Sequence, residues 1–177
     1  MDTQIVLLRG INVGAANRIK MPALCEALVD AGIGTEPRTY VQSGNIALQT
    51  SLGERELAAA VAAMLTERFK IVTPVVVREA DELRDVVVGN PFPDEAALNP
   101  KALQVTFLAE APTADRVSEL EARAVGGERV AVLGRHLFSW HPEGLARSKM
   151  ALKLTPKSAA ATARNWTTVL ALLELAS

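Results

Sequence analysis

The fold of the first half of the chain is decided by residues 38–49, Arg38-Thr39-Tyr40-Val41-Gln42-Ser43-Gly44-Asn45-Ile46-Ala47-Leu48-Gln49. This stretch contains two runs that favour β-strands, Arg38 to Val41 and Asn45 to Gln49. Ser43 and Gly44 between them favour a tight turn, because glycine adopts a positive φ without steric cost. We therefore predict a β-hairpin.

The residues before the hairpin predict a strand and a helix. Ile5 to Leu8 is a continuous apolar run, which is typical of a strand covered on both faces. Pro22 suits the first turn of a helix, and Gly32 suits its left-handed exit. The apolar residues between them recur at helical spacing, so Cys25 is expected in the core.

The residues after the hairpin predict a second helix and a fourth strand. Ser51 and Glu54 have the spacing of a capping box. The helix that follows carries apolar residues on one face, namely Leu57, Val61, Met64 and Leu65. Val72 to Val77 is predicted to be a strand. The order βαββαβ over residues 1–78 is that of a ferredoxin-like plait with strand order 4-1-3-2.

The second half predicts a repeat of the same order. Residues 79–100 are expected to form a helix and then a proline-rich linker. Residues 101–177 predict a second plait with an added C-terminal helix. Its elements are strand Leu103 to Ala109, helix Thr113 to Ala124, hairpin strands Val130 to Leu133 and Leu137 to Trp140, helix Arg147 to Leu154, strand Ala160 to Ala163, and helix Trp166 to Leu175 capped by Asn165. The expected fold class is α+β, with two ferredoxin-like plaits in tandem.

Composition limits the function classes. The chain has 177 residues, 49% of them hydrophobic, and 19 Lys and Arg against 20 Asp and Glu, a balance that argues against a general binder of polyanions. The single cysteine excludes an internal disulfide, and no apolar run reaches the roughly 18 residues of a membrane span. Because Met1 leads into a polar dipeptide and not into a signal-peptide pattern, we expect a cytoplasmic protein without membrane contact.

The predicted topology brings two polar segments together at one end of the first sheet. Right-handed crossovers make its first two strands parallel, so the loop at residues 9–20 should meet the turn at residues 42–45. Glycines in both segments allow a ligand close to the backbone, although turn chemistry alone also accounts for them. The loop has neither a P-loop nor a dinucleotide-binding pattern. The candidate ligand-binding residues are Arg9, Asn12, Asn17, Lys20, Gln42, Ser43 and Asn45.

A basic segment in the second half is the other candidate. Residues 144–165 contain no acidic residue and five cations, namely Arg147, Lys149, Lys153, Lys157 and Arg164. The predicted topology brings the first residues of this segment close to its last residues. An anion site is therefore expected, with main-chain N–H groups at Ser148 and the side chains of Arg147, Ser148, Lys149, Arg164 and Asn165. A solvated helix face is the alternative. Trp166 is expected to be a packing anchor.

The sequence predicts neither a catalytic motif nor a metal site. His136 and His141 are an odd number of positions apart along one strand direction, so they point to opposite faces and do not form a paired metal site. The motifs of common hydrolases and zinc enzymes are absent from the sequence. No cofactor is therefore named, and whether the protein is an enzyme is left open.

Several long motifs carry a resemblance to a known family. They are Leu7-Leu8-Arg9-Gly10-Ile11-Asn12-Val13-Gly14, Arg38-Thr39-Tyr40-Val41-Gln42-Ser43-Gly44-Asn45, Asn90-Pro91-Phe92-Pro93, Arg147-Ser148-Lys149 and Thr162-Ala163-Arg164-Asn165-Trp166. With these motifs in order, the chain closely resembles the uncharacterised bacterial family catalogued as domain of unknown function 1697. The resemblance implies two ferredoxin-like subdomains and no assigned activity. Ala146 and Thr167 depart from the family pattern, which commonly has Gly and Asn there.

Three functions remain as hypotheses. The first is binding of an anionic small molecule, such as a nucleotide or a phosphorylated metabolite, with both polar clusters lining one cleft between the plaits. The second and less favoured is binding of single-stranded RNA through Phe107, Phe138 and Trp140, for which stacking aromatics on strands would be needed. The third is a structural or regulatory homodimer formed through Val169, Leu170, Leu172 and Leu173. The sequence does not set the oligomeric state.

Overall fold

The protein, described by a computed structural model at residues 1–155 and 160–177, divides into two compact units. The first unit is Met1–Arg84 with Ala171–Ser177, and the second is Asp85–Leu170. Lys157 of the basic segment lies outside the described residues. The predicted domain limits of 1–78, 79–100 and 101–177 stay a prediction.

The first unit contains a four-stranded sheet in the order β2-β3-β1-β4 with antiparallel neighbours. This is the predicted strand order. Because β1 and β2 are both antiparallel to β3, they are parallel to each other. The elements are β1 (Asp2–Leu8), α1 (Met21–Asp30), β2 (Thr35–Thr39), β3 (Asn45–Thr50), α2 (Glu54–Phe69) and β4 (Val75–Glu79).

The core of this unit lies between one face of the sheet and the two helices. Val6 and Leu8 of β1 belong to the same buried cluster as Leu24 of α1 and Leu57 and Val61 of α2. The residues of β1 that point to the other face, Ile5 and Leu7, are also fully buried. Both faces of β1 are therefore covered, as the apolar run predicted.

Two details of the first unit correct the sequence analysis. The residue that caps α2 is Gly53, whose N–H donates to Glu56 Oε2 at 3.4 Å, so the predicted capping box of Ser51 and Glu54 is wrong. Cys25 is half-buried and not in the core, because the buried face of α1 is formed by Met21, Leu24, Ala27 and Leu28. Burial, and after it the charge of Glu26, raises the pKa of the Cys25 thiol.

The second unit contains another four-stranded antiparallel sheet, in the order β6-β7-β5-β8. Leu137 of β7 packs in its core with Leu120, Met150 and Leu154. Its elements are α4 (Pro93–Leu98), β5 (Leu103–Leu108), α5 (Ala114–Glu121), β6 (Arg129–Leu133), β7 (His136–Trp140), a 3-10 turn (Leu145–Arg147), α6 (Ala151–Leu154) and β8 (Ala161–Asn165). The chain thus has a mixed α+β fold with two four-stranded antiparallel sheets and several helices.

The boundary between the two units falls within two further helices. They are α3 (Ala80–Val88) and α7 (Trp166–Leu175). Asn165 Oδ1 accepts a hydrogen bond from the Thr168 N–H at 2.9 Å, which confirms the predicted cap of α7. No helix in the described parts of the chain has the length and apolar character that a membrane span needs.

Two elements of the second unit differ from the prediction. Residues 90–100 were expected to be irregular, but they contain α4, which begins at Pro93, where proline is well tolerated. The single helix predicted from Arg147 to Leu154 is wrong, because Ser148 adopts an extended conformation (φ −78°, ψ 117°) between the 3-10 turn and α6. Its hydroxyl oxygen accepts the Ala151 N–H at 2.9 Å at the start of α6.

Candidate functional site

The loop after β1 and the turn of the first hairpin meet at one end of the sheet. We call residues 9–20 the N-terminal loop and residues 40–45 the hairpin turn. The Leu8 N–H, just before the loop, donates to the Gly44 carbonyl at 2.8 Å. Within the loop, the Asn12 side chain donates to the Gln42 carbonyl at 2.7 Å. The convergence predicted from topology is therefore present.

Asn12 fixes the shape of the N-terminal loop. Its Nδ2 donates to the carbonyls of Ile19, at 2.8 Å, and Gln42, at 2.7 Å, while its Oδ1 accepts the Ile19 N–H at 2.9 Å. The Asn12 N–H donates to the Asn17 carbonyl at 3.0 Å. Because both side-chain donors are used within the protein, Asn12 is a positioning residue that closes the loop and ties it to the hairpin turn.

The other predicted asparagines also hold the backbone. Asn17 Nδ2 donates to the Gly10 carbonyl at 3.3 Å. Asn45 is fully buried, and its Nδ2 donates to the Tyr40 carbonyl at 3.1 Å and to Ser43 Oγ at 2.8 Å. Gln42 is exposed. The asparagines of this cluster thus bond within the protein, whereas the contact of Gln42 with a ligand stays a prediction.

Positive φ values are frequent in this region. Four residues of the loop have a positive φ, namely Gly10, Asn12, Gly14 and Asn17. In the turn, Val41 has a φ of 49°, which costs an L-residue with a Cβ roughly 1–2 kcal/mol. A Cβ at Gly44 would lie 2.6 Å from Leu8 Cβ, so only glycine allows this close approach. Such strain persists only where the surrounding structure enforces it.

The charge of the N-terminal loop is positive. Arg9 is half-buried, and Arg18 and Lys20 are exposed. Arg18 Nη2 donates to the Gly14 carbonyl at 3.0 Å, which holds this guanidinium against the loop. No Asp or Glu occurs at residues 3–25 or 37–53 of the sequence. Sequence reasoning did not select Arg18, although it lies in the same loop as the selected cations Arg9 and Lys20.

The second candidate cluster is divided between exposed cations and structural side chains. Arg147 and Lys149 are exposed, whereas Ser148 is buried. Arg164 is half-buried on β8, where its Nη1 donates to Thr162 Oγ1 at 2.7 Å and to the Ala163 carbonyl at 2.8 Å. Burial lowers the pKa of Arg164 to about 10. The proximity of Arg147 and Lys149 to Arg164 stays a prediction, and so does a single cleft that both clusters line.

A buried chain of hydrogen bonds in the second unit escaped sequence reasoning. His141 is fully buried, with Nε2 2.9 Å from Ser139 Oγ and Nδ1 2.9 Å from Glu128 Oε1. The Val125 N–H donates to Glu128 Oε2 at 3.1 Å, and Ser148 also hydrogen-bonds the carboxylate. Burial raises the pKa of Glu128, but the bonds from Ser148, His141 and Val125 outweigh it and hold the pKa below its ordinary value.

Ser139, His141 and Glu128 follow one another in this hydrogen-bond chain in the order of a nucleophile, a base and an orienting acid. Their burial nevertheless favours a structural role. Ser139 is fully buried, whereas a nucleophile must reach its substrate. A signal was available, because residues 139 and 141 are two apart, a spacing that places side chains on one side of an extended backbone. Within the described ranges, no three His, Cys, Asp or Glu residues are grouped closely enough to hold a metal ion.

The residues of the two alternative functions are mostly buried. Phe107 and Phe138 are fully buried, and Trp140 is 6% exposed, so these aromatics pack in the interior. Trp166 is also buried, and its ring centroid lies 6.3 Å from that of Phe138, in agreement with the predicted packing role. Val169 and Leu172 of the proposed dimer face are fully buried as well.

Comparison with protein families identifies the chain. Residues 1–138 match the family model described as "Protein of unknown function (DUF1697)". The chain belongs to the DUF1697 family. This DUF1697 match includes the N-terminal loop, the hairpin turn and Glu128, whereas Ser139, His141 and Ser148 lie beyond it. No curated protein matches the chain significantly.

A solved structure shares the fold of this DUF1697 protein. It is described as "The structure of conserved bacterial protein SP0830 from Streptococcus pneumoniae", and it matches with a TM-score of 0.79 over 99% of both chains. The sequences are 18% identical. At that identity the likeness supports the fold alone.

Proposed function

We propose that the first unit binds a small anionic ligand, a nucleotide or a phosphorylated metabolite, where the N-terminal loop meets the hairpin turn. The observation that carries the proposal is the closure of this loop by the Asn12 carboxamide, which donates at 2.8 and 2.7 Å and accepts at 2.9 Å. The fixed loop presents Arg9, Arg18 and Lys20 in a part of the sequence that has no carboxylate.

A cationic surface that is already ordered binds an anionic ligand more tightly than a flexible cationic surface does. Ordering a mobile loop costs free energy at the moment of binding, whereas a loop that is already closed does not incur that cost. Backbone strain at Val41 fits the same interpretation, since strained residues cluster at ligand sites. Charge-assisted hydrogen bonds from arginine to an anion are about twice as strong as neutral ones.

The fold supports a finer structural proposal. Each sheet has the strand order 4-1-3-2 of a ferredoxin-like plait, when its strands are numbered along the chain, and helices follow the first and third strands of each. We assign both units to that topology. The basic residues Arg147, Lys149 and Arg164 are a second candidate anion contact, because residues 144–165 contain no acid.

A thermal-shift screen over nucleotides, sugar phosphates and short RNAs tests the proposed function. A ligand at a hundredfold excess over its Kd stabilises the fold by about 2.7 kcal/mol, which raises the Tm by roughly 5–10 °C for a chain of this length. Lys20→Ala should abolish most of the shift. Arg55→Ala, which removes a cation from an exposed position on α2, should retain it.

The same screen contains the outcomes that contradict the proposal. Equal shifts in Lys20→Ala and the parent protein would remove the N-terminal loop from the site. Arg147→Ala and Lys149→Ala then show whether the basic segment of the second unit binds the same ligand. A response to RNA alone would favour the RNA hypothesis.

A further inference from the structure

We infer that a phosphate group of the ligand is held by the main-chain N–H groups of Val13, Gly14 and Ala15, an inference that rests on the proposed function. We call these residues the phosphate nest. The proposal names the chemistry of the ligand, a phosphate monoester or a larger phosphorylated molecule, and assigns its recognition to backbone donors that no side-chain motif reveals.

The first observation is an alternation of backbone handedness. Gly10, Asn12 and Gly14 have φ values of 63°, 56° and 63°, while Ile11 and Val13 between them have the negative φ of ordinary L-residues. When residues of opposite handedness alternate, successive N–H groups turn toward one side and form a concave surface. Such concavities bind phosphate and other anions.

The second observation is the availability of donors. The Asn12 N–H is used within the loop, since it donates to the Asn17 carbonyl at 3.0 Å. Those of Val13, Gly14 and Ala15 meet no protein acceptor within residues 1–155 and 160–177, and all three residues are exposed. Three consecutive main-chain donors therefore face solvent on a loop whose shape is already fixed.

The third observation is the position of Arg18. Its Nη2 donates to the Gly14 carbonyl at 3.0 Å, so the guanidinium is held against the same loop that carries the exposed N–H groups. A guanidinium has five donors in a planar fork, and one bond to Gly14 leaves others for a ligand. Main-chain donors with an arginine match the three acceptor oxygens and the charge of a phosphate monoester better than the two oxygens of a carboxylate.

Two glycines provide a matched pair of variants. Gly14 and Gly32 have φ values of 63° and 66°, and a Cβ added at either would meet no atom within 4 Å. An alanine is thus equally strained at both positions, but Gly32 lies at the exit of α1. Gly14→Ala should weaken the binding of glycerol 3-phosphate at least tenfold in calorimetry, and Gly32→Ala should leave it within twofold, with similar losses of Tm.

Two measurements on the unaltered chain complete the test. Glycerol 3-phosphate should move the amide resonances of Val13, Gly14 and Ala15 most. Its affinity should fall about tenfold from pH 7 to pH 5, because the second pKa of a phosphate monoester is near 6, whereas the affinity for sulfate should stay constant. Acetate should bind at least tenfold more weakly than either.

The outcomes separate this inference from the proposed function. If anions bind but Gly14→Ala behaves like Gly32→Ala, or if acetate binds as tightly as the phosphate ester, the phosphate nest is wrong and the cationic site remains. If no anion binds to the unaltered chain, both proposals are wrong.

Discussion

Asn12 shows how one side chain can set the shape of a candidate site through bonds to the main chain alone. Its carboxamide makes three hydrogen bonds to the main chain at Ile19 and Gln42, and its positive φ lets the loop turn. Asparagine tolerates this conformation better than most residues. The side chain therefore solves two problems at once, which are the direction of the loop and its attachment to the hairpin turn.

Replacement of Asn12 by glycine should destabilise the first unit. Glycine accepts the φ of 56° without strain, so the expected loss of about 1–3 kcal/mol in the free energy of unfolding reports the side-chain bonds. Asn17→Gly is the control, because Asn17 has a similar φ of 50° and a single side-chain bond of 3.3 Å. Urea denaturation measures both. Equal losses in the two variants would contradict the role assigned to Asn12.

At the scale of elements, Glu128 connects three parts of the second unit. Its carboxylate binds His141 directly after β7, Ser148 before α6 and the N–H of Val125 in its own loop. The pKa of this carboxyl is lowered in the folded protein. Its contribution to stability is therefore present above the pKa of the unfolded chain, near 4.3, and is lost as the pH falls through the folded value.

Glu128→Gln should thus cost most stability near neutral pH. The difference in the free energy of unfolding between the two proteins should shrink as the pH is lowered from 7 to 3, since acid protonates the native carboxylate too. Glu121→Gln, at an exposed residue near the end of α5, is a control that should show little difference at any pH. A gap that stays constant down to pH 3 would show that the charge of Glu128 does not matter.

The elements also show what local sequence can predict. The strands and the buried positions of α2 follow from apolar spacing, which is a local property. The break at Ser148 does not, and there the Ser148 side chain bonds Glu128, twenty residues earlier in the sequence. The helix that begins at Pro93 was missed because proline marks both loops and first turns of helices.

The position of the candidate site could be predicted from the sequence, but the roles of its individual side chains could not. Parallel β1 and β2 require that residues 9–20 and 42–45 meet, and the bond from Asn12 to Gln42 confirms it. Whether an amide serves a ligand or the backbone depends on which carbonyls lie within reach, as Ile19 does for Asn12. That information appears only when the loop has folded.

For the whole molecule, the buried aromatics argue for a packing role. Trp140 is 6% exposed on β7, so Trp140→Ala should lower the free energy of unfolding by about 3–5 kcal/mol. The parent protein should show no salt-sensitive binding of single-stranded RNA by fluorescence anisotropy. If RNA does bind and the affinity falls tenfold or more in Trp140→Ala without unfolding, the ring is a stacking platform and the interpretation is wrong.

The two tryptophans, Trp140 and Trp166, both belong to the second unit, while the single tyrosine, Tyr40, lies in the hairpin turn of the first. Intrinsic emission excited at long wavelength therefore reports on the second unit, whereas the N-terminal loop belongs to the first. Tyr40, whose carbonyl accepts a hydrogen bond from Asn45, is the chromophore next to the candidate site. Absorbance changes of this phenol give the first unit an optical probe of its own, without any added label.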